Sequence, residues 1–206
     1  MGRPSSLTLR QRFARYLLSL FGWKVETDAP DIAKYVLVVY PHTSNWDFPI
    51  GYLGKMSLAL KLRWVGKHTL FHWPYGWLMR ALGGISVDRR SRNNVSQQLA
   101  EVYRDHDEMI IAITPEGTRS YVPHWKSGFY YIAQAANVPI ALAYIDYRRK
   151  RMGIGEPFMP SGDIEADFER IRAFFADKTA CYPDKAGAVE LPPKEKSSEP
   201  ELRRSA

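Results

Sequence analysis

A single cysteine, Cys181, stands in 206 residues. That excludes an internal disulfide and any cysteine-rich zinc site. Nothing therefore implies an oxidising compartment, and Cys181 reads as a structural or incidental thiol. No apolar stretch approaches the roughly 18–20 residues that a membrane-spanning helix needs. The longest candidates, residues 35–40 and 140–145, are strand-sized. No apolar segment is followed by a small-residue cleavage site, so no secretory signal is expected. Ser127, in Lys126-Ser127-Gly128, lacks the paired glycines of a hydrolase nucleophile elbow. No Gly-Lys-Ser/Thr follows Gly83-Gly84, so a P-loop is excluded. His68, His72, His106 and His124 offer no i, i+4 pair with a carboxylate nearby, and no metal site is expected.

Acidic residues are in the minority, 22 against 29 Lys and Arg, for a net charge of +7. Such a balance favours an anionic partner, whether a membrane surface, a phosphorylated substrate or nucleic acid, without choosing among them. Residues 1–24 contain no acid at all. They carry Arg3, Arg10, Arg12, Arg15 and Lys24, while Leu9, Phe13, Tyr16, Leu17 and Leu20 recur at helical spacing. Ser5 or Ser6 would cap this helix and Gly22 would end it. Two readings stay open: a helix docked on the core, or an interfacial helix with its arginines on anionic headgroups.

What is present beyond that is an alternation of strands and helices. Residues 35–40, Tyr-Val-Leu-Val-Val-Tyr, form a continuous apolar run that suits a strand covered on both faces. A helix is expected over residues 48–62, a short strand over 63–66, and an aromatic helical segment between Phe71 and Leu82. Residues 85–88 alternate like a strand end, residues 95–104 suit a helix, and residues 109–113 form another buried strand. A helix over 127–136, a strand over 138–147, a basic turn over 148–152, a weaker strand over 153–156 and an amphipathic helix over 164–177 complete the pattern. The fold class is α/β: one domain with a mixed, mainly parallel sheet flanked by helices and an N-terminal amphipathic helix. The expected organisation is an amphipathic basic helix at 1–24, a domain at 25–183, and a polar, disordered tail at 184–206.

Three polar clusters sit where strands end, the place where α/β folds gather their sites. They are His42-Thr43-Ser44-Asn45-Trp46-Asp47, then Gly84-Ile85-Ser86-Val87-Asp88-Arg89, then Pro115-Glu116-Gly117-Thr118-Arg119-Ser120. A histidine with a carboxylate to orient it is what deprotonating a hydroxyl near neutral pH requires. Backbone N–H groups near residues 47–49 would help to hold an oxyanion. Guanidinium groups and a glycine turn, as at Arg89, Gly117 and Arg119, suit a phosphate. Each residue also has a plainer reading. Asp47 could cap the helix that follows it, Asp88-Arg89 could be a surface ion pair, and Glu116-Gly117 could be only a turn.

Together, however, the blocks resemble the glycerolipid (lysophospholipid) acyltransferases, the 1-acylglycerol-3-phosphate acyltransferase type. The resemblance covers His-x-x-x-x-Asp at 42–47, the hydrophobic run ending in Arg89, the complete Pro-Glu-Gly-Thr-Arg-Ser at 115–120 and Val138-Pro139-Ile140, within roughly residues 35–147. Lys67-His68-Thr69-Leu70 stands where typical members have Lys-x-Glu-Leu, so the acceptor stays open.

The resemblance implies acyl transfer from acyl-CoA or acyl carrier protein to a lyso-glycerophospholipid hydroxyl. His42 would be the general base and Asp47 its partner, with Arg89, Glu116, Gly117, Thr118 and Arg119 toward the acceptor's phosphate. It implies no metal and no cofactor beyond the thioester substrate. A peripheral place at the cytoplasmic face of a membrane, with no spanning segment, is the matching expectation. The aromatics Phe71, Trp73, Tyr75 and Trp77 beside basic residues would frame an acyl channel, and residues 148–151 would touch anionic lipid. A different lipid acceptor, or a non-catalytic basic module for membrane or nucleic acid, are the alternatives.

Overall fold

The computed structural model describes residues 7–87, 99 and 101–193. Strand β2 (Lys34–Tyr40) supplies the centre of the sheet. It is followed by helix α2 (Asp47–Ser57), β3 (Leu62–Lys67), a 3-10 turn at His68–Phe71, α3 (Gly76–Ala81) and β4 (Gly84–Val87). Next come β5 (Met109–Ile113), α4 (Gly128–Ala136), β6 (Ile140–Asp146), β7 (Arg151–Ile154) and α5 (Ile164–Phe175). Helix α1 (Leu9–Leu20) and the two-residue β1 (Lys24–Val25) precede them. The sheet order is β1-β7-β6-β2-β5-β3-β4. Strands β2 to β6 run parallel and β7 turns back antiparallel on β6, so the sheet is mixed and mainly parallel.

The apolar run of β2 is buried on both faces because helices cover both. Val36, Val38 and Tyr40 face a core with Ile111, Ile140 and Leu142, closed by Phe129 and Tyr130 of α4 and Phe168 and Ile171 of α5. Tyr35 and Leu37 face the other way, toward Leu60, Ala141 and Ile154. Parallel pairing lays the carboxyl ends of β2, β5 and β6 along one edge, with Val38 opposite Ile113 and Tyr40 opposite Tyr144.

Helix α1 is capped by Thr8, not by Ser5 or Ser6, which lie outside the described residues. The Thr8 side chain accepts from Gln11 N–H, and the Gln11 side chain accepts from Thr8 N–H in return. Gly22 ends the helix with φ +78°, a conformation glycine adopts without strain. The docked face is Ala14 and Leu18. The apolar stripe runs elsewhere, with Leu9, Phe13, Tyr16 and Leu20 all more than half exposed.

Some boundaries differ from expectation. Helix α2 stops at Ser57 rather than running to 62, because Ala59 takes a left-handed φ of +53° and turns the chain so that Leu60 enters the core. The last strand begins at Arg151, inside the expected basic turn. There Arg151 pairs with Glu26, Arg149 pairs with Asp146 and Asp177, and Lys150 donates to Phe21 O. Three of the four charges expected to face lipid are thus engaged within the protein.

The disordered tail expected from 184 is not seen over 184–193. Trp125 N–H donates to Glu190 O, Arg172 Nε to Val189 O, and Tyr40 Oη to Gly187 O. Ala186, Val189 and Leu191 pack against the main core. Three apolar residues spaced among polar ones suffice to dock a strap whose backbone finds partners. Residues 194–206 lie outside the described residues.

Candidate active site

Just past Tyr40 the chain leaves the sheet through Pro41 and forms a tight loop into α2. Asp47 is the first residue of that helix, yet it does not cap it. Position Trp46 precedes the helix without any side-chain cap bond. The Asp47 carboxylate instead points back over the loop. Its Oδ2 lies 3.1 Å from His42 Nδ1 and accepts from Ser44 N–H at 2.9 Å. Its Oδ1 accepts from the Tyr147 hydroxyl at 2.6 Å. The carboxylate is 3% exposed and the imidazole 18%, so the acid is sealed while the base reaches solvent. Burial pushes the Asp47 carboxyl up, but the hydrogen bonds from His42, Tyr147 and Ser44 outweigh it and hold the group below the usual carboxylate range. An ionised carboxylate only accepts hydrogen bonds, so Nδ1 carries the imidazole proton and Nε2 presents its lone pair outward.

The Pro115–Ser120 block reaches the same loop from the end of β5. Glu116 is 1% exposed. Its Oε2 accepts from His42 N–H at 2.8 Å and its Oε1 from Gly187 N–H at 3.0 Å. Each oxygen accepts from one backbone amide, which sets Glu116 as a brace between the His42 loop and the C-terminal strap. Gly117, with φ +68°, turns the chain so that Thr118 and Arg119 emerge exposed. A second tie runs from Tyr182 N–H to Thr43 Oγ1 at 3.1 Å.

Glu116 has a consequence for stability. Burial pushes its carboxyl from 4.5 up to about 7, against the pull of the Gly187 and His42 amides and with help from the Asp47 charge. Between pH 4.5 and 7 the unfolded chain has lost this proton and the folded chain keeps it, so stability falls as pH rises across that window. The loss is about 3 kcal/mol. Glu116→Gln does not ionise. The stability of wild type minus Glu116→Gln, from melting curves between pH 4 and 8, is therefore expected to fall through the window and flatten above it. Parallel curves would show that Glu116 does not titrate there.

The start of α2 offers less to an oxyanion than its position suggests. Asp47 N–H donates to Ser44 O at 3.3 Å, and Pro49 has no N–H, leaving Phe48 N–H in the first turn. The expected aromatic channel is not formed by residues 71–77. Phe71 is buried against Trp64, whereas Trp73 and Tyr75, which precede α3, and Trp77 in its first turn are exposed. An apolar cavity lies instead between α2 and the sheet, lined by Leu37, Val39, Gly54, Leu58, Ala143 and Met152 among others. Among the described residues no group of three or more His, Cys, Asp or Glu is gathered as a metal site.

Of the residues singled out from sequence, His42, Asp47 and Glu116 come together, and Gly117, Thr118 and Arg119 emerge beside them. Arg89 lies outside the described residues. Tyr147, Thr43 and the strap at 182–187 were not singled out. Tyr147 did have a signal, since it is the residue immediately after β6 on the edge where the site forms.

Residues 24–145 match a protein-family model described as Acyltransferase. In structure the chain is similar to the 1-acyl-sn-glycerophosphate (LPA) acyltransferase PlsC from Thermotoga maritima. The TM-score is 0.55 at 19% identity, over 82% of this chain and 79% of that one. No curated protein sequence gives a significant match.

Proposed function

Because this chain belongs to the acyltransferase family, with more than half its length inside the family model, we propose that it moves a fatty acyl group from acyl-CoA or acyl carrier protein to the hydroxyl of a lyso-glycerophospholipid such as 1-acylglycerol-3-phosphate. The observation that carries this reading is the 3.1 Å contact from His42 Nδ1 to Asp47 Oδ2, made with the imidazole accessible and the carboxylate sealed.

In this mechanism His42 Nε2 takes the proton from the acceptor hydroxyl as its oxygen attacks the thioester carbon. The imidazolium that forms is stabilised by Asp47. The tetrahedral intermediate then expels the thiolate, which takes that proton back. The acceptor's phosphate would meet Arg119 and the Gly117 turn, with Arg89 and Thr118 as further candidates and Glu116 bracing the loop. The apolar lining between α2 and the sheet suits an acyl chain.

A peripheral place on the cytoplasmic face of a membrane fits the exposed stripe of α1, where Leu9, Phe13 and Leu20 stand beside exposed Arg10 and Arg12. No helix among the described residues is long and apolar enough to cross a membrane.

The reading is tested with a panel of lyso-lipids and labelled acyl-CoA or acyl carrier protein, followed by mass spectrometry. A new diacyl product with stoichiometric thiol release is expected for at least one phosphate-bearing acceptor. Silence across the panel, together with salt-steep binding to DNA, would favour a non-catalytic basic module.

A further inference from the structure

The Asp47 carboxylate has two oxygens with unequal duties. Oδ2 accepts from both His42 Nδ1 and Ser44 N–H, and Oδ1 accepts from the Tyr147 hydroxyl. Without that last bond the carboxylate is held through Oδ2 alone, and the torsion that sets its plane has no strong staggered preference to fix it. We propose that Tyr147 is a positioning residue for the reaction, holding Asp47 so that its Oδ2 stays on His42 Nδ1. The proposal rests on the acyl-transfer reading of His42 and Asp47, and it lies outside the residues matched by the family model.

Tyr147 is itself held from two sides. Its N–H donates to Thr179 O at 2.9 Å, and its ring meets Trp23 edge-on at 5.0 Å. Trp23 is buried in a small core with Leu18 of α1 and Met152 of β7. The hydroxyl at 2.6 Å is therefore delivered by a fixed ring, and burial together with the Asp47 bond keeps its proton on the tyrosine. The bond is charge-assisted, the stronger kind.

Tyr144, three residues earlier and within β6, provides a control. Its hydroxyl donates to Glu26 at 2.7 Å, a carboxylate bond that does not touch His42. The proton on His42 Nδ1 should give a downfield NMR resonance, absent from His42→Ala. In Tyr147→Phe that resonance is expected to broaden and exchange faster with water, while in Tyr144→Phe it stays as in wild type. Turnover should fall roughly tenfold in Tyr147→Phe with KM unchanged, and by no further factor when Tyr147→Phe is added to Asp47→Ala, which leaves no carboxylate to hold. A resonance missing from wild type, or one unaltered in Tyr147→Phe, overturns the proposal, as does an additive loss in the double variant. If wild type acylates no acceptor, the activity reading fails while the NMR comparison still decides the role of Tyr147.

Discussion

Replacing His42 with alanine is expected to lower kcat by about a thousandfold or more while the protein stays folded, since a positioned general base typically contributes that order. The fold should survive because the bond that ties this residue to the end of β5 is its backbone N–H to Glu116, which alanine keeps. Asp47 loses one of three partners but retains Ser44 N–H and the Tyr147 hydroxyl. The cost in stability should therefore be about 1 kcal/mol. The acceptor's KM should change little, because the groups suited to its phosphate lie on the Gly117–Arg119 turn rather than on His42. Thiol release from acyl-CoA at saturating acceptor measures the first effect and a thermal melt the second. A kcat within tenfold of wild type would sink the assignment of His42 as base.

That assignment was open to sequence reading because the chemistry of the site is written in short segments. Strand β5 falls on Met109–Ile113 as its apolar run indicates, and β2 differs by one residue. Buried parallel strands have few competing conformations once both faces are apolar. The ends of these strands then fix where His42 and Glu116 must lie.

Other features could not be read this way. Asp47 had a strong local alternative as a helix cap, and only the geometry of Ser44 N–H and Tyr147 shows where its oxygens point. Glu116 sits inside a motif that suggests contact with a phosphate, yet its partners are amides 74 and 71 residues away. The strap at 184–193 has the composition of a disordered tail. Its order comes from hydrogen-bond donors on Tyr40, Trp125 and Arg172 and from the apolar surface of the main core, none of them local. The α1 stripe is the reverse case: periodicity located it, but only packing through Ala14 and Leu18 shows that it faces outward.

Asp47→Asn is expected to reduce kcat by about a hundredfold, less than His42→Ala, through loss of charge rather than loss of tautomer. The substitution leaves one oxygen and one NH2 where there were two oxygens. If the NH2 faced His42 it would also face Ser44 N–H, setting donor against donor at 2.9 Å. If it faces Tyr147, the hydroxyl rotates to accept, and the remaining oxygen still receives Ser44 N–H and His42 Nδ1–H. The second arrangement avoids that opposition of two donors and displaces only the Tyr147 hydroxyl proton, so it wins. His42 keeps its proton on Nδ1 and its lone pair on Nε2, and what is lost is the negative charge beside the imidazolium. Stability follows the same logic. The folded carboxyl titrates below its ordinary range, so its contribution is present above that range and is lost as pH falls through it. Asp47→Asn should therefore melt below wild type at pH 7, and the gap should close as pH drops below the ordinary carboxylate range. Nitrogen chemical shifts of the His42 ring report the tautomer directly. A proton found on Nε2 in Asp47→Asn, with activity as low as in His42→Ala, would mean that Ser44 N–H does not set the amide's orientation.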